Sequence, residues 1–253
     1  MRTGPHRIVE VMERISEAPN GVTVTELSRL LGINKASASR LLASYVDAGL
    51  LERDAAHRHH PGMQLWAFGS RALQQFRPAE IARSIIFTAS REKGIGFYTA
   101  TVRGDRVYNL EQVGPGIPVT RLLSSAIPIH ASGPGKALLA FSDAETIEKA
   151  LERAPYERFT RHTITARDEM ERELQDIRKR GYSINRGEFD EGAVGLAAPV
   201  YDFTGGPVGT VGNTCAPEEL VDDYIARVGP IVMEVASLLS SALGHTPVGL
   251  KVG

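Results

Sequence analysis

The chain has 253 residues, room for one or two domains, and its 42% hydrophobic and 23% charged residues are ordinary for a globular protein. That composition excludes a disordered or fibrous chain. The single cysteine, Cys215, excludes an internal disulfide and any multi-cysteine metal site, and no base lies beside it in sequence to make a catalytic thiol. No run reaches the ~18 consecutive apolar residues of a membrane span, and Met1–Arg7 lacks the apolar core of a signal peptide, so the expectation is a cytoplasmic protein with no membrane partner. The net charge of −1 conceals an asymmetry: residues 1–77 carry ten Lys or Arg against seven acids, and the remainder 19 against 23. A basic head on an acidic body suggests a nucleic-acid-binding module joined to a second domain.

The head divides into three short helices. Ile8, Val9, Met12 and Ile15 recur at helical spacing, and Pro19-Asn20-Gly21 ends that helix. Thr23-Val-Thr-Glu26 is a capping box for a second helix, with Val24, Leu27, Leu30 and Leu31 as its expected buried side. After Gly32, Asn34 caps a third helix with an apolar stripe of Ala38, Leu41, Leu42, Tyr45 and Val46. A short helix, a tight turn and a longer helix make a helix-turn-helix, and residues 50–62 have the length of a wing hairpin with its tip at Asp54-Ala-Ala-His57. Opposite the stripe lie Lys35, Ser37, Ser39, Arg40 and Ser44, a face of short hydroxyls and cations fit to enter a major groove. Arg53, His57 and Arg58 of the wing would add to it. Residues 63–76 read as a linking helix with Leu65, Phe68, Ala72 and Phe76 on one side and Trp66 and Leu73 beside them, a band wide enough to engage a second subunit; Pro78 marks the boundary.

Beyond Pro78 a helix to about Arg91 precedes two strands, Phe97–Arg103 and Arg106–Val113, that turn at Gly104-Asp105. Helices are expected at Gly135–Phe141, at Asp143–Leu151 behind a Ser142–Glu145 capping box, and at Asp168–Arg180. Strands Val194–Tyr201 and Val208–Thr214 follow, and a last helix runs from Pro217 to Leu243. Antiparallel hairpins with helices gathered at one side imply an α+β fold.

Several constellations suggest chemistry without completing it. Gly133-Pro-Gly-Lys136 resembles part of a phosphate loop, but His130 and Ala137 stand where the pattern needs glycine and a hydroxyl. What remains is a helix start with free N–H groups suited to a carboxylate. His57, His59 and His60 have no carboxylate or cysteine to complete a metal set, so no metal and no cofactor is expected. His130 and Ser132 have no acid in register, and Glu188, Asp190 and Glu191 read as a solvated cluster. An enzyme would need a nucleophile, a metal set or paired acids, and none converges. A pure oligomerisation module would leave the pocket residues unexplained.

The chain resembles the IclR family of bacterial transcription regulators over roughly Gly4 to Gly244. The resemblance rests on Thr23-Val-Thr-Glu-Leu-Ser, Leu31-Gly-Ile-Asn-Lys-Ala-Ser-Ala-Ser-Arg-Leu-Leu42 and Gly49-Leu-Leu51. In the body it rests on Ile127-Pro-Ile-His-Ala-Ser-Gly-Pro-Gly-Lys-Ala-Leu-Leu-Ala140, Thr163-Ile-Thr165, Ile177-Arg-Lys-Arg-Gly-Tyr182 and Gly195-Leu-Ala-Ala-Pro-Val-Tyr-Asp202. It implies an α+β chain with a winged helix-turn-helix DNA-binding domain over residues 1–62, a linker helix over 63–77 and a GAF-like effector-binding domain over 78–248. It also implies double-stranded operator DNA and a small-molecule effector as partners, and assembly as a homodimer or a dimer of dimers. Lys35, Ala36, Ser37, Ser39, Arg40, Arg53 and Arg58 fall at the DNA face. Gly133, Pro134, Asn185, Gly195, Gly212 and Thr214 fall at the effector pocket. Where acid-binding members offer an aspartate, a cysteine and two serines, this chain has Asn185, Gly195, Gly212 and Thr214. Fewer anchors and more room would suit a ligand larger and more apolar than glyoxylate or pyruvate. His59-His60-Pro61-Gly62 also departs from the family pattern, and its proline would shorten the second wing strand.

Overall fold

The computed structural model describes residues 4–75, 77–115 and 127–246; the side chains of residues 4–7, 72–75 and 77–80 lie outside the description. The chain separates into two compact units, Met1–Phe76 and Arg77–Gly253.

In the first unit, α1 (Gly4–Ser16), α2 (Val24–Leu31) and α3 (Lys35–Asp47) enclose a core of Val11, Ile15, Leu27, Leu42 and Tyr45. The capping box is present: Glu26 N–H donates to Thr23 Oγ1, and Thr23 N–H donates to the Glu26 carboxylate at 2.8 Å. Gly32 takes the left-handed conformation that ends α2, and Asn34 Oδ1 caps α3 by accepting from Ser37 N–H. Two phases of the apolar pattern differ from the sequence expectation. Ile8 and Val9 are exposed and Val11 takes the buried position, and Leu30 of α2 is exposed. A short amphipathic helix offers more than one apolar stripe, and the partner surface selects among them. The wing is β1 (Leu51–Arg53) paired antiparallel with β2 (His59–Pro61), followed by α4 (Met63–Gln75).

The second unit begins with α5 (Arg77–Lys93), with Pro78 in its first turn where a missing N–H costs nothing. Next come β3 (Phe97–Arg103), β4 (Arg106–Val113) and β5 (Ile127–Pro128). Helices α6 (Gly133–Phe141), α7 (Ala144–Leu151) and α8 (Arg167–Arg180) precede β6 (Ser183–Arg186), β7 (Val194–Tyr201), β8 (Pro207–Cys215) and α9 (Asp222–Ala242). The strands form one sheet in the order β5-β4-β3-β8-β7-β6, antiparallel throughout.

Helices lie on both faces of this sheet, not on one. Leu196, Ala198 and Val200 of β7 join α5 and α9 in the largest core, while Ala197 faces Gly133 of α6 and α6 packs on α7 and α8. The cause is visible in β7 itself: Val-Gly-Leu-Ala-Ala-Pro-Val-Tyr does not alternate apolar with polar, the mark of a strand covered on both sides. Asp143, not Ser142, caps α7 by accepting from Thr146 N–H, because Ser142 turns back to the Leu138 carbonyl. The last helix starts at Asp222, after a separate 3₁₀ turn at Pro217–Glu219, since Asp222 and Asp223 favour the positive end of a helix. By length and composition α9 could span a membrane, yet Ile225, Val228, Val232, Val235 and Leu239 are buried in the sheet core.

The two units have separate cores with no shared residue among those described. Leu27→Ala in the smaller core should remove about 2–5 kcal/mol. In scanning calorimetry the transition of the first unit should fall and that of the second should stay; equal displacement of both would mean the cores unfold as one.

Candidate functional site

Lys35, Ala36, Ser39 and Arg40 are exposed at the start and outer side of α3, and Ser37 is half-buried with its N–H held by Asn34. Arg53 is exposed on β1. Arg58 stands apart from these. Its Nε donates to the Asn20 carbonyl at 2.6 Å, and its Nη2 donates to the Gly21 carbonyl and to Glu26 at 2.9 Å each. The guanidinium therefore binds the wing to the turn before α2 and to the capping-box carboxylate. Hydrogen bonds from Thr23, with Arg58 adding, hold the Glu26 carboxyl below its usual range.

The histidines of the wing diverge. His57 is at the tip with φ +62°, His60 meets Asp54 at 2.9 Å, and buried His59 donates from Nδ1 to the Val22 carbonyl. Among the described residues no three His, Cys, Asp or Glu side chains gather to hold a metal.

In the second unit, Pro134, Asn185, Gly195 and Thr214 line one cavity of about 30 Å³. Pairing explains the convergence: Asn185 of β6 is opposite Gly195 of β7, which is opposite Thr214 of β8, so the three form a row across the sheet. Ser132 closes the end at α6, where its Oγ accepts from Gly135 N–H. Gly133 and Gly212 sit behind the cavity wall. A Cβ on Gly212 would lie 2.2 Å from Cζ of Tyr98, because the phenol ring rests on that glycine; a Cβ on Gly133 would lie 3.2 Å from Cβ of Asn185.

The expected extra room is therefore absent. Tyr98 fills the space over Gly212, and the place of a side chain on Gly195 is taken by the Asn213 carbonyl, 2.0 Å from its Cβ position. Asn185 is committed to its own loop, donating to the Ala193 carbonyl at 2.7 Å and accepting from Gly187 and Glu188 N–H. Tyr98, Asn109 and Phe189 also line the cavity and carried no sequence signal of doing so. Tyr98 pairs with Gly212 across the β3–β8 register, an aromatic-over-glycine arrangement that only the register reveals. The ring is 6% exposed, its hydroxyl has no hydrogen-bond partner among the described residues, and burial pushes its pKa up.

Lys136 does not serve a phosphate. It is 1% exposed, and its Nζ donates to Glu188 Oε1 at 2.7 Å, Glu173 Oε1 at 3.1 Å and the Ile184 carbonyl at 3.2 Å. Glu188 is therefore buried rather than solvated, and only Asp190 and Glu191 behave as surface acids: Asp190 accepts from Gly192 N–H, and Glu191 pairs with Arg161. His130 stacks on Tyr156 at 4.7 Å and donates to the Glu157 carbonyl, while Ser132 is used as a helix cap, so the two do not form a nucleophile and base. Cys215 is buried, and that burial pushes its thiol pKa up.

Two family descriptions match the sequence: the IclR helix-turn-helix domain at residues 5–55 and the bacterial transcriptional regulator IclR C-terminal domain at residues 71–241. The transcriptional repressor IclR of Escherichia coli K12 is 26% identical over 243 residues, covering 94% of this chain and 89% of that protein. The HTH-type transcriptional regulator BhcR of Paracoccus denitrificans is 26% identical over 237 residues, covering 92% and 85%. Both relatives are regulators of transcription rather than enzymes. Among solved structures, the Thermotoga maritima IclR superposes with a TM-score of 0.75 at 24% identity, covering 95% of this chain and 98% of that one. An IclR homolog of Microbacterium hydrocarbonoxydans complexed with 4-hydroxybenzoate superposes at 0.77 with 23% identity, covering 96% and 100%. With both of its units matched in order, the chain belongs to the IclR family of bacterial transcriptional regulators.

Proposed function

We propose that this regulator binds operator DNA through α3 and the wing, and that a small organic ligand in the cavity between α6 and the sheet changes that binding. Residues 1–62 then serve as the DNA-binding domain, 63–77 as the linker helix and 78–248 as the effector domain. The observation that carries the ligand reading is the cavity itself, where Tyr98, 6% exposed, meets Ser132, Asn109 and Thr214. A hydroxyl and a helix start beside apolar Ile127, Phe189 and Val194 suit an organic acid or aromatic compound. The 4-hydroxybenzoate bound to one structural relative is a compound of this class. A cavity of about 30 Å³ holds about two waters. Entry of a ligand therefore displaces a wall, and a ligand that favours the displaced form shifts the population toward it.

On DNA, Lys35, Ala36, Ser37, Ser39 and Arg40 face the major groove and Arg53 approaches phosphate. Arg58 acts as the brace of the wing, with Nε and Nη2 engaged by the Asn20 and Gly21 carbonyls and by Glu26. Dimerisation is supported by α4, where Met63, Trp66 (68% exposed) and Phe68 (49% exposed) stand at the surface of the first unit; Ala72, Leu73 and Phe76 lie outside the described side chains. Two copies would present two α3 helices to half-sites about 34 Å apart or a multiple of that.

Three measurements check this reading. On a duplex selected by the protein from a random pool, Arg40→Ala should cost about 1–3 kcal/mol and relax specificity at one position, and Lys35→Ala should lower the salt slope by about 1. Unchanged affinity and slope would move the DNA face elsewhere. Sedimentation at micromolar concentration should show a dimer that Trp66→Arg dissociates; a monomeric wild type would remove α4 from the interface. Small molecules released from natively purified protein should identify the ligand, and Thr214→Val and Tyr98→Phe should each weaken it while leaving ligand-free DNA binding intact. A full response to that ligand in both variants would place its site outside the cavity.

A further inference from the structure

The cavity has one wall that packing leaves adjustable and one that is fixed by charge. Tyr98 rests on a glycine and has no hydrogen-bond partner among the described residues. Phe189, which also lines the cavity and packs against the cluster that holds Tyr98, follows directly after Glu188, whose every backbone group is held. The Glu188 N–H donates to Asn185 Oδ1, and its carbonyl accepts from Thr163 Oγ1 at 2.6 Å and from Thr160 Oγ1. Its side chain ends on Lys136, which lies in α6 two residues after the cavity-lining Pro134. An ammonium group has three donors. All three are matched here, by Glu188, Glu173 and the Ile184 carbonyl. Arg180 approaches the same Glu173 oxygen at 3.7 Å, so two cations and two carboxylates close around the joint.

We infer that Lys136 and Glu188 are positioning residues of the ligand cavity: their buried ion pair ties the α6 wall to the Phe189 wall and fixes the distance between them. Neither residue lines the cavity itself. The inference rests on the ligand reading above and deepens it, because a ligand can then be accommodated only on the Tyr98 side. The compounds admitted are flat ones, an aromatic ring carrying a polar substituent toward Tyr98, with bulk on the Phe189 side rejected. A buried charge left alone is far more costly than a buried pair replaced as a pair. Loss of Lys136 alone should therefore release the segment Gly187–Phe189, and loss of both charges together should restore much of its order.

The test compares wild type, Lys136→Met and the double variant Lys136→Met/Glu188→Leu by amide hydrogen exchange and by the NMR signal of the Phe189 ring. In Lys136→Met the Gly187 and Glu188 amides should exchange at least about tenfold faster relative to Leu196 and Val211 of the central strands, with a shifted Phe189 signal. The double variant should return both toward wild type, and it carries the comparison if the single variant does not fold. Unchanged exchange and an unchanged ring signal would overturn the inference, as would equal acceleration at Leu196 and Val211. Benzoate, 4-hydroxybenzoate and a bulkier 3,5-disubstituted benzoate are then titrated. Admission of the bulky acid by Lys136→Met alone supports the inference, and its admission by wild type overturns it. Binding of no aromatic acid to any variant would sink the ligand reading, while the exchange data still decide whether the pair fixes the wall.

Discussion

Strand β7 is covered on both faces, and that constraint governs the larger unit. Leu196, Ala198 and Val200 must satisfy the α5 and α9 side, while Gly195 and Ala197 must stay small where α6 and the neighbouring backbone press in. The β7–β8 register, from Val194↔Cys215 to Val200↔Gly209, carries the same division into β8. A slip of one residue would place Val211 and Cys215 on the cavity side and Thr214 in the apolar core, so both faces oppose it. Asn213 shows the cost of a polar residue on the core side: it is tolerated because Nδ2 donates to the Gly96 carbonyl and Oδ1 accepts from the Tyr224 hydroxyl.

Against that apolar frame, Lys136 is a charge placed where hydrocarbon would be expected. Its burial is compensated by geometry, since the acceptors come from α8, β6 and the loop after β6 and surround the ammonium. Burial pushes the Glu188 carboxyl up from its ordinary range, and the adjacent Lys136 ammonium pulls it back down. Such a joint adds little net stability relative to a hydrocarbon pair, but it permits fewer alternative packings than hydrocarbon does. Position, more than stability, is what it contributes to a loop beside a cavity.

The parts of this structure legible in the sequence are those whose causes are local. Thr23 and Glu26 are three residues apart, Asn34 precedes its helix directly, and Gly104-Asp105 joins β3 to β4 within one turn. The illegible parts depend on distant partners. Lys136 meets acids 37 and 52 positions away, and Arg58 meets carbonyls at Asn20 and Gly21. Nothing near Glu188 distinguishes it from Asp190 and Glu191 until the fold turns one inward. Of the cavity, Pro134, Asn185, Gly195 and Thr214 were reachable through family resemblance. Tyr98 was not, because its place is fixed by cross-strand pairing with Gly212 and by no neighbour in sequence.

The same distinction between committed and uncommitted charge applies to the head. Ten cations against seven acids give a modest excess, and the structure separates the cations held in ion pairs from those that are not. Arg58 is spent on Glu26 and Arg14 on Glu17, whereas Arg29, Lys35, Arg40, Arg53 and Arg71 enter none of the ion pairs among the described residues. Lys35, Arg40 and Arg53 stand exposed at the start of α3 and on the wing strand, Arg29 on α2 and Arg71 on α4. Phosphate attraction is a sum over free cations, and in the proposed docking Lys35, Arg40 and Arg53 supply the part of it nearest the groove. In the proposed docking, Ser37 and Ser39, short and interleaved with these cations, would let the helix approach close enough for base edges to be read. On that reading attraction and base readout share one surface, and the Arg58 brace fixes the wing to the turn and capping box that begin the helix-turn-helix.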